Sequence, residues 1–330
     1  MSSSTSSSDV PIAGKSQRRA LRALGFVVFT LAIVFLVGEL LDRATVLNPN
    51  TPKIREMLAL ENDHNAVVYI GDSTTLDGVN PVIAEAELGM RGYNLASGGQ
   101  TLVESEMVLR HYLQHNPKPR VVMLGLFVNR DPATEINPEI YVGLSGDDRA
   151  TMRAKVEDQA MSPISRSFRV FNSFKIYRNR NVISYFIDHM NKRVTGESRG
   201  SELVRGHLAL DYSKAEKPSK ASRTAELNER GLDSFLDFCA EQRLPVLMFE
   251  PPNTPGFSGI TSNRPQLIAT IETRARTRRD VRFRSFDGPA SLDYAKDEWS
   301  GRNHLNRKGA VRFTREQLVP YLRDELPTTR

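Results

Sequence analysis

Short apolar runs that alternate with amphipathic helical segments are the feature that most limits how this chain can fold. The stretch "VVMLGLF", which begins at Val121, is apolar throughout except for one glycine. A strand that is apolar on both faces is typical of a parallel sheet covered by helices on both sides. Helical patterns separate these runs, as in residues 223–243. We therefore predict an α/β domain with strands at 66–70, 93–95, 121–126, 246–249 and 281–286.

The first 42 residues have a different composition. Residues 1–22 begin with a Ser-rich stretch that lacks apolar periodicity, which indicates disorder. Residues 23–38 carry no charge, and residues 39–41 extend the apolar run with only Glu39 interrupting it. This run is just below the roughly 20 residues of a spanning helix, so a cleaved signal peptide is an alternative. No convincing small-x-small cleavage site accompanies the run. A core helix of a soluble protein fits less well, because the run is apolar on all sides. We predict an uncleaved transmembrane signal anchor over 23–42.

Charges on either side of the apolar run predict its orientation. Basic residues precede it, and its other end carries no net positive charge. The preceding residues are Lys15, Arg18, Arg19 and Arg22, and those at the far end are Glu39, Asp42 and Arg43. Because Lys and Arg favour the cytoplasmic side, we expect a cytoplasmic N-terminus and an extracytoplasmic, periplasmic domain.

The exported part divides into a linker, a domain and an insertion within that domain. Residues 43–65 are a polar linker with a short helical segment, and residues 66–330 form the domain. The single cysteine, Cys239, excludes an intramolecular disulfide, and we find no Cys/His metal cluster, no cofactor motif and no nucleic-acid motif. The net charge of +6 is modest for 330 residues.

An excursion at about 130–222 is too long for an ordinary loop. Its middle, residues 165–193, is rich in Lys and Arg with interleaved aromatic residues. The favoured interpretation is a helical insertion packed on the main sheet. The alternative is a lid or a membrane-surface element whose basic face meets anionic headgroups or an acidic polymer.

Candidate functional residues follow the first three strands. The stretch "VVYIGDSTTL" stops an apolar strand at a tight turn that presents Ser73, although serines in such places often only cap the next helix. Gly99 lies in a glycine pair after the second strand, and Asn129 follows the third. Ligands in open α/β sheets bind at the carboxyl ends of the strands, so these three residues are expected to converge there.

His304, in "DEWSGRNHLNRKGA", precedes the last helical segment. Histidine is a natural general base for a serine hydroxyl, which does not ionise near neutral pH by itself. Taken alone, Gly99, Asn129 and His304 could each be an ordinary turn, cap or surface residue.

In combination, four blocks resemble the SGNH (GDSL-type) hydrolase family. They are GDS after the first strand, N-L-x-x-x-G after the second, an Asn after the third and N-H-L-N-x-x-G before the last helix. The resemblance covers roughly residues 65–325 apart from the insertion. It implies a flavodoxin-like three-layer α/β/α sandwich.

The resemblance also implies the site residues. Ser73 would be the nucleophile and His304 its base, and Asp72 would fix the turn. The N–H groups of Ser73 and Gly99, with the Asn129 side-chain amide, would form the oxyanion hole. The third block departs from the usual G-x-N-D pattern, which weakens the assignment of Asn129.

The fourth block departs from the family where its triad acid normally stands. The family usually has an Asp three residues before the histidine, and here that position is Gly301. Asp297 is the weak substitute, Asp293 and Asp287 are further options, and a Ser-His dyad oriented by a backbone carbonyl is another.

The favoured function is that of an exported, membrane-anchored serine esterase or O-acyltransferase that removes or transfers acyl groups, most simply acetyl, on a cell-envelope or secreted glycan. A membrane acyl-donor protein is a conceivable partner. The alternatives are a lipid esterase or thioesterase at the membrane surface and a non-catalytic SGNH-fold binding or assembly protein, which Gly301 motivates.

Overall fold

Five parallel strands form the centre of the molecule, as the apolar runs predict. The computed structural model describes residues 13–47, 52–128, 138–159, 225, 227–254, 257, 261–288 and 294–326. Its strands are β1 (Val67–Ile70), β2 (Gly92–Asn94), β3 (Val121–Gly125), β4 (Val246–Glu250) and β5 (Val281–Ser285). They pair in the order β2-β1-β3-β4-β5, which is the flavodoxin-like order.

Helices cover both faces of this sheet. In chain order, the helices of the described residues are α1 (Ala13–Leu47), α2 (Pro52–Leu58), α3 (Ser73–Gly78), α4 (Pro81–Leu88), α5 (Leu102–His115), α6 (Pro138–Gly143), α7 (Gly146–Gln159), α8 (Glu229–Glu241), α9 (Arg264–Thr277), α10 (Arg307–Phe313) and α11 (Val319–Glu325). A 3-10 turn at Lys296–Glu298 precedes α10, and a π-helical turn at Thr314–Leu318 joins α10 to α11.

Two apolar cores make the sandwich three-layered. Val68 and Ile70 of β1 point into a core shared with helices α2, α5, α8 and α9. Val67 and Tyr69 point into the opposite core with α4, α10 and α11. Side chains alternate between the faces of a strand, so every strand must be apolar on both sides. The predicted flavodoxin-like α/β/α sandwich is confirmed.

Helix α1 is longer than the predicted anchor. It begins at Ala13 and ends at Leu47, so residues 13–22 are helical, contrary to the disorder expected for 1–22. Lys, Arg and Ala before the apolar run are good helix formers and let the helix extend. Within the described residues, one segment, Gln17–Leu41, is long and apolar enough to cross a membrane.

The first part of the predicted insertion forms α6 and α7. An ionic cluster ties α7 to the sandwich: the buried Glu106 of α5 pairs with Lys155 of α7 at 2.9 Å and with Arg110 at 2.7 Å. Ser234 of α8 also donates to Glu106, at 2.8 Å. The basic, aromatic middle of the insertion lies outside the described residues, as do residues 1–12.

Candidate active site

Ser73 is the first residue of α3, directly after β1. The N-cap of α3 is Asp72, whose carboxylate accepts from the Thr74 N–H at 2.9 Å and from the Thr74 hydroxyl at 2.6 Å. An N-cap acceptor of this kind satisfies a donor that the helix leaves open. The expectation that Asp72 fixes the turn is therefore confirmed.

Two glycines allow α3 to start against the sheet. A Cβ on Gly71 or on Gly125 would overlap the Thr75 hydroxyl. Thr75 is fully buried, so the first turn of α3 is wedged between the ends of β1 and β3. This close packing fixes the position of the Ser73 backbone, and a sequence motif alone does not reveal it.

The loop after β2 runs beside the Ser73 turn. Ser97 N–H donates to Gly71 O at 3.3 Å. The Asn94 side chain, which is fully buried, donates to Thr75 O at 3.1 Å and accepts from Ala96 N–H at 3.0 Å. Asn94 thereby joins β2 to α3, which explains why an asparagine stands at this position of the second block.

Gly99 lies in the turn that follows, with a φ of +70° that favours glycine. The Ser73 N–H belongs to the first helical turn, where no intrahelical carbonyl is available to accept it. Ser73 and Gly99 follow β1 and β2 at the carboxyl edge of the sheet, where the resemblance predicts the oxyanion hole. Asn129, the third predicted donor, lies outside the described residues.

His304 meets Ser73 across 231 residues of sequence. Its Nε2 lies 2.9 Å from Ser73 Oγ, a hydrogen-bond distance at which the hydroxyl donates to a neutral imidazole. Burial lowers the pKa of His304 below its ordinary value of 6.5, and the negative charge of Asp72 partly opposes that shift. A base that stays neutral near physiological pH is the form that can accept the serine proton.

The loop that carries His304 is held mainly through its backbone. Ser300 and Gly301 both donate backbone N–H groups to His304 O, at 2.9 and 3.2 Å. Asn306 caps α10 through Lys308 N–H at 2.9 Å and donates to Asp297 O at 2.6 Å. The loop after β4 adds a link, because the Thr254 hydroxyl donates to Arg302 O at 2.7 Å.

Gly301 faces the nitrogen of His304 that does not touch Ser73. A Cβ built on Gly301 would lie 3.4 Å from His304 Nδ1. Position 301, where the family that the motifs resemble usually has an Asp, is thus adjacent to the nitrogen that such an acid orients. Gly301 therefore lies beside Nδ1 but has no carboxylate that could orient the imidazole.

The substitutes named from sequence are placed elsewhere. The Asp297 carboxylate forms an ion pair with Lys308 at 2.8 Å and is more than half exposed. Asp287 is buried and pairs with Arg264 at 3.1 Å, while Asp293 lies outside the described residues. Among the described carboxylates, only that of Asp77 comes within 4 Å of an imidazole nitrogen of His304, with Oδ2 3.9 Å from Nε2.

Sequence reasoning missed Asp77. It stands four residues after Ser73, one turn later on α3, and its side chain is 11% exposed. Residues four apart share one helix face, and that spacing is the signal that could have identified it. Because Asp77 approaches the same nitrogen as Ser73, it can favour the protonated imidazole by its charge without acting as an acid on Nδ1.

A second ionic group supports the loops beyond β4 and β5. Glu250, at the end of β4, is fully buried and pairs with Arg264 at 2.6 Å. Burial, together with the nearby Asp287, raises the pKa of Glu250 to about 7. Asp287 in turn accepts from the Asn253 N–H at 3.3 Å. These bonds fix the loops that flank His304.

Among the described residues, no group of three or more His, Cys, Asp or Glu side chains could hold a metal ion.

The similarity of this chain to known proteins is remote. No family model matches the chain, and no curated protein matches it. A solved structure from Streptococcus pneumonia, provisionally named as a platelet activating factor, aligns over 88% of this chain and 99% of its own, with 10% identity and a TM-score of 0.40. An acetyl xylan esterase from the rumen bacterium Butyrivibrio proteoclasticus aligns over 81% of this chain and 66% of its own, with 10% identity and a TM-score of 0.34. Likeness at this level carries no argument about function, so the function is argued from the site itself.

Proposed function

We propose that this chain is a membrane-anchored serine enzyme that cleaves or transfers ester-linked acyl groups through an acyl-enzyme on Ser73. The observation that carries the proposal is the 2.9 Å contact between Ser73 Oγ and His304 Nε2 at the carboxyl edge of a parallel sheet. A nucleophile paired with a base at hydrogen-bond distance is the minimal arrangement for this chemistry.

The reaction proceeds in two stages. Ser73 Oγ attacks the acyl carbonyl carbon while His304 Nε2 takes the hydroxyl proton. The oxyanion receives hydrogen bonds from the N–H groups of Ser73 and Gly99 and from the Asn129 amide. His304 then returns the proton to the departing alcohol, and the acyl group stays on Ser73. Water or an acceptor hydroxyl attacks next, with His304 again as the base, and Ser73 is released.

The absence of a carboxylate at Gly301 shapes this mechanism. In a triad the acid orients the imidazole and stabilises the imidazolium. In this chain the charge of Asp77, 3.9 Å from Nε2, supports the imidazolium from the side of Ser73. We expect slower catalysis of simple esters than in an enzyme that has the acid on Nδ1.

The substrate and location follow from the sequence rather than from the site. We propose an extracytoplasmic, periplasmic domain anchored by α1, acting on acetyl or related acyl groups of an envelope or secreted glycan. The acyl group would come from the glycan itself or from a membrane acyl-donor protein. The positive residues before the apolar run support this orientation.

The test is hydrolysis of p-nitrophenyl acetate by the full-length protein in detergent or nanodiscs. Ser73→Ala and His304→Ala should each abolish release of p-nitrophenol. Ser145→Ala, which removes an exposed serine far along the chain, should leave the rate unchanged. Activity that persists in both site variants would overturn the proposal.

Gly301 also favours a second candidate, a binding or assembly protein that keeps the fold without the chemistry. That candidate predicts no labelling of Ser73 by a fluorophosphonate probe and no acyl transfer to any acceptor. Labelling that depends on both Ser73 and His304 would exclude it.

A further inference from the structure

Helix α2 begins at the same edge of the sheet as Ser73 and His304. The Lys53 ammonium contacts the carbonyl of Asn94, the last residue of β2, and lies 4.7 Å from the centre of the Tyr93 ring. Lys53 is 3% exposed, so this end of α2 is firmly packed. The carboxyl end of β2 belongs to the edge where the parallel strands present their ligands.

The far end of α2 lies toward the opposite edge. Leu58 O accepts from His111 Nε2 at 2.7 Å, and Asn62 N–H donates to His115 O at 3.0 Å. His111 and His115 lie in the last turns of α5, which runs from the carboxyl edge back toward the start of β3. Helix α2 therefore runs antiparallel to the strands, with its first residue at the catalytic edge.

The chain length places the end of α1 near that first residue. Leu47 ends α1 and Pro52 begins α2, and five extended steps reach at most about 18 Å. The apolar span ends at Leu41, and six helical residues rise only about 9 Å. The first residue of α2 therefore lies within about 27 Å of the point where α1 leaves the apolar region.

The burial pattern of α1 shows which part of it the domain covers. Side chains such as Phe26 and Phe29 are exposed by 71% and 63%, whereas Gly38 is buried and Glu39 is half-buried. Helix α1 contacts α6, and α6 also contacts α2. The domain thus packs on the C-terminal turns of α1, while most side chains of the preceding apolar turns are exposed.

The same edge exposes positive charge on the loop that carries His304. Arg302 and Arg307 are exposed, whereas the charge of the exposed Lys308 is offset by its ion pair with Asp297 at 2.8 Å. Cationic side chains near an anionic bilayer surface are each worth about 1 kcal/mol of attraction. An edge that approached a membrane would benefit from these residues.

We propose that the carboxyl edge of the sheet, with Ser73 and His304 on it, faces the bilayer that holds α1, and that the enzyme acts on esters displayed at that surface. The reactive part of this statement rests on the proposed function, whereas the orientation rests only on α1 being a membrane anchor. A substrate held at the membrane surface, with its ester carbonyl close to the headgroups, would then reach Ser73 without leaving that surface.

The orientation is tested by fluorophores at the two edges of the sheet in full-length protein reconstituted into vesicles. Cys239 is buried, so the unsubstituted chain serves as the labelling background. Gly98→Cys places a label on the loop after β2, where a Cβ has open space. Arg279→Cys places one on an exposed site before β5. A headgroup-linked quencher should quench the Gly98 label several-fold more strongly. Equal quenching, or stronger quenching at position 279, would overturn the orientation.

A linker variant tests the functional part separately. About 20 Gly/Ser residues inserted after Asn48 add a root-mean-square reach of about 25 Å without touching the site. The native chain should cleave an acetyl ester held on a lipid anchor in the same vesicle in preference to a soluble acetyl ester. The insertion should reduce this preference and leave soluble turnover unchanged. An unchanged preference for the lipid-anchored ester would contradict the proposed orientation. A native chain that does not hydrolyse the soluble ester at all would contradict the proposed function instead.

Discussion

The two sides of the site are held in different ways. On the Ser73 side, Asp72 caps α3. Gly71 and Gly125 have no Cβ, which leaves room for the Thr75 side chain between the ends of β1 and β3. On the His304 side, backbone hydrogen bonds fix the loop, but the imidazole has Gly301 beside its Nδ1. The turn that carries the nucleophile is thus fixed by close packing beneath it, whereas the described side-chain contacts of His304 are made through Nε2. The difference indicates that the position of Ser73 is constrained more tightly than the orientation of the His304 imidazole.

The largest expected effect comes from removing the nucleophile. Ser73→Ala should lower kcat for p-nitrophenyl acetate by about 10⁴-fold or more, because no other group can form the acyl-enzyme. His304→Ala should approach the same loss, since residues that act as a unit are not additive. Steady-state rates of the two single variants and the double variant check this. A double variant much slower than either single variant would show that the two do not act together.

The second expected effect tests the packing beneath Ser73. Gly125→Ala puts a methyl group into the Thr75 hydroxyl, so α3 must shift and activity should fall by about 100-fold. Overpacking should also lower the free energy of unfolding by about 1–3 kcal/mol. Kinetics and urea unfolding measure both quantities.

A compensating change makes this prediction sharper. Adding Thr75→Ala to Gly125→Ala removes the hydroxyl that overlaps most severely, leaving contacts of 3.0 Å with the Cβ of residue 75 and 3.1 Å with Phe249, and should recover most of the lost activity. Thr75→Ala alone serves as the control for the lost side chain. If the double variant is as slow as Gly125→Ala, the clash with Thr75 is not the cause.

The comparison also shows what a sequence can disclose. All five strands were predicted within about one residue, because burial on both faces leaves a local apolar signature. Ser73 and His304 were both named as candidates from short motifs, and the structure brings their side chains to 2.9 Å. The wedge formed by Thr75 and the approach of Asp77 to His304 were not predicted, since each depends on how α3 sits against distant segments. The start of α1 at Ala13 was missed because helix-forming basic residues resemble a disordered tail in composition.

The third prediction concerns the base. Gly301→Asp should place a carboxylate near His304 Nδ1, given a Cβ position 3.4 Å away, and should raise kcat/KM by about 10-fold. Gly301→Asn is the matched control, because it has the same size and no charge. Equal rates for the two variants would mean that the imidazole needs no acid at this position.

The fourth prediction assigns Asp77 a smaller, electrostatic role. Asp77→Asn should lower kcat/KM by about threefold to tenfold, because it removes a negative charge 3.9 Å from His304 Nε2. The rate should be restored in Asp77→Asn/Gly301→Asp, and failure of that rescue would point to a structural role for Asp77.

The smallest effect is a shift in pH dependence. Burial lowers the pKa of His304, and catalysis requires the neutral imidazole, so kcat/KM should stay level as pH falls toward 6.5 and decline only below it. Gly301→Asp stabilises the imidazolium and should move this decline to higher pH. A profile in the unsubstituted enzyme that already declines above pH 6.5 would contradict a buried, neutral base.

The central claim is that an acyl group is carried on Ser73 through the action of His304. The most direct measurement is rapid quenching of the full-length protein during reaction with p-nitrophenyl acetate, followed by peptide mass spectrometry. The account predicts an acetylated peptide containing Ser73 that forms in the first turnover, is absent from Ser73→Ala and forms far more slowly in His304→Ala. An acetyl group found on another residue, or product released at the native rate without any adduct on Ser73, would contradict it.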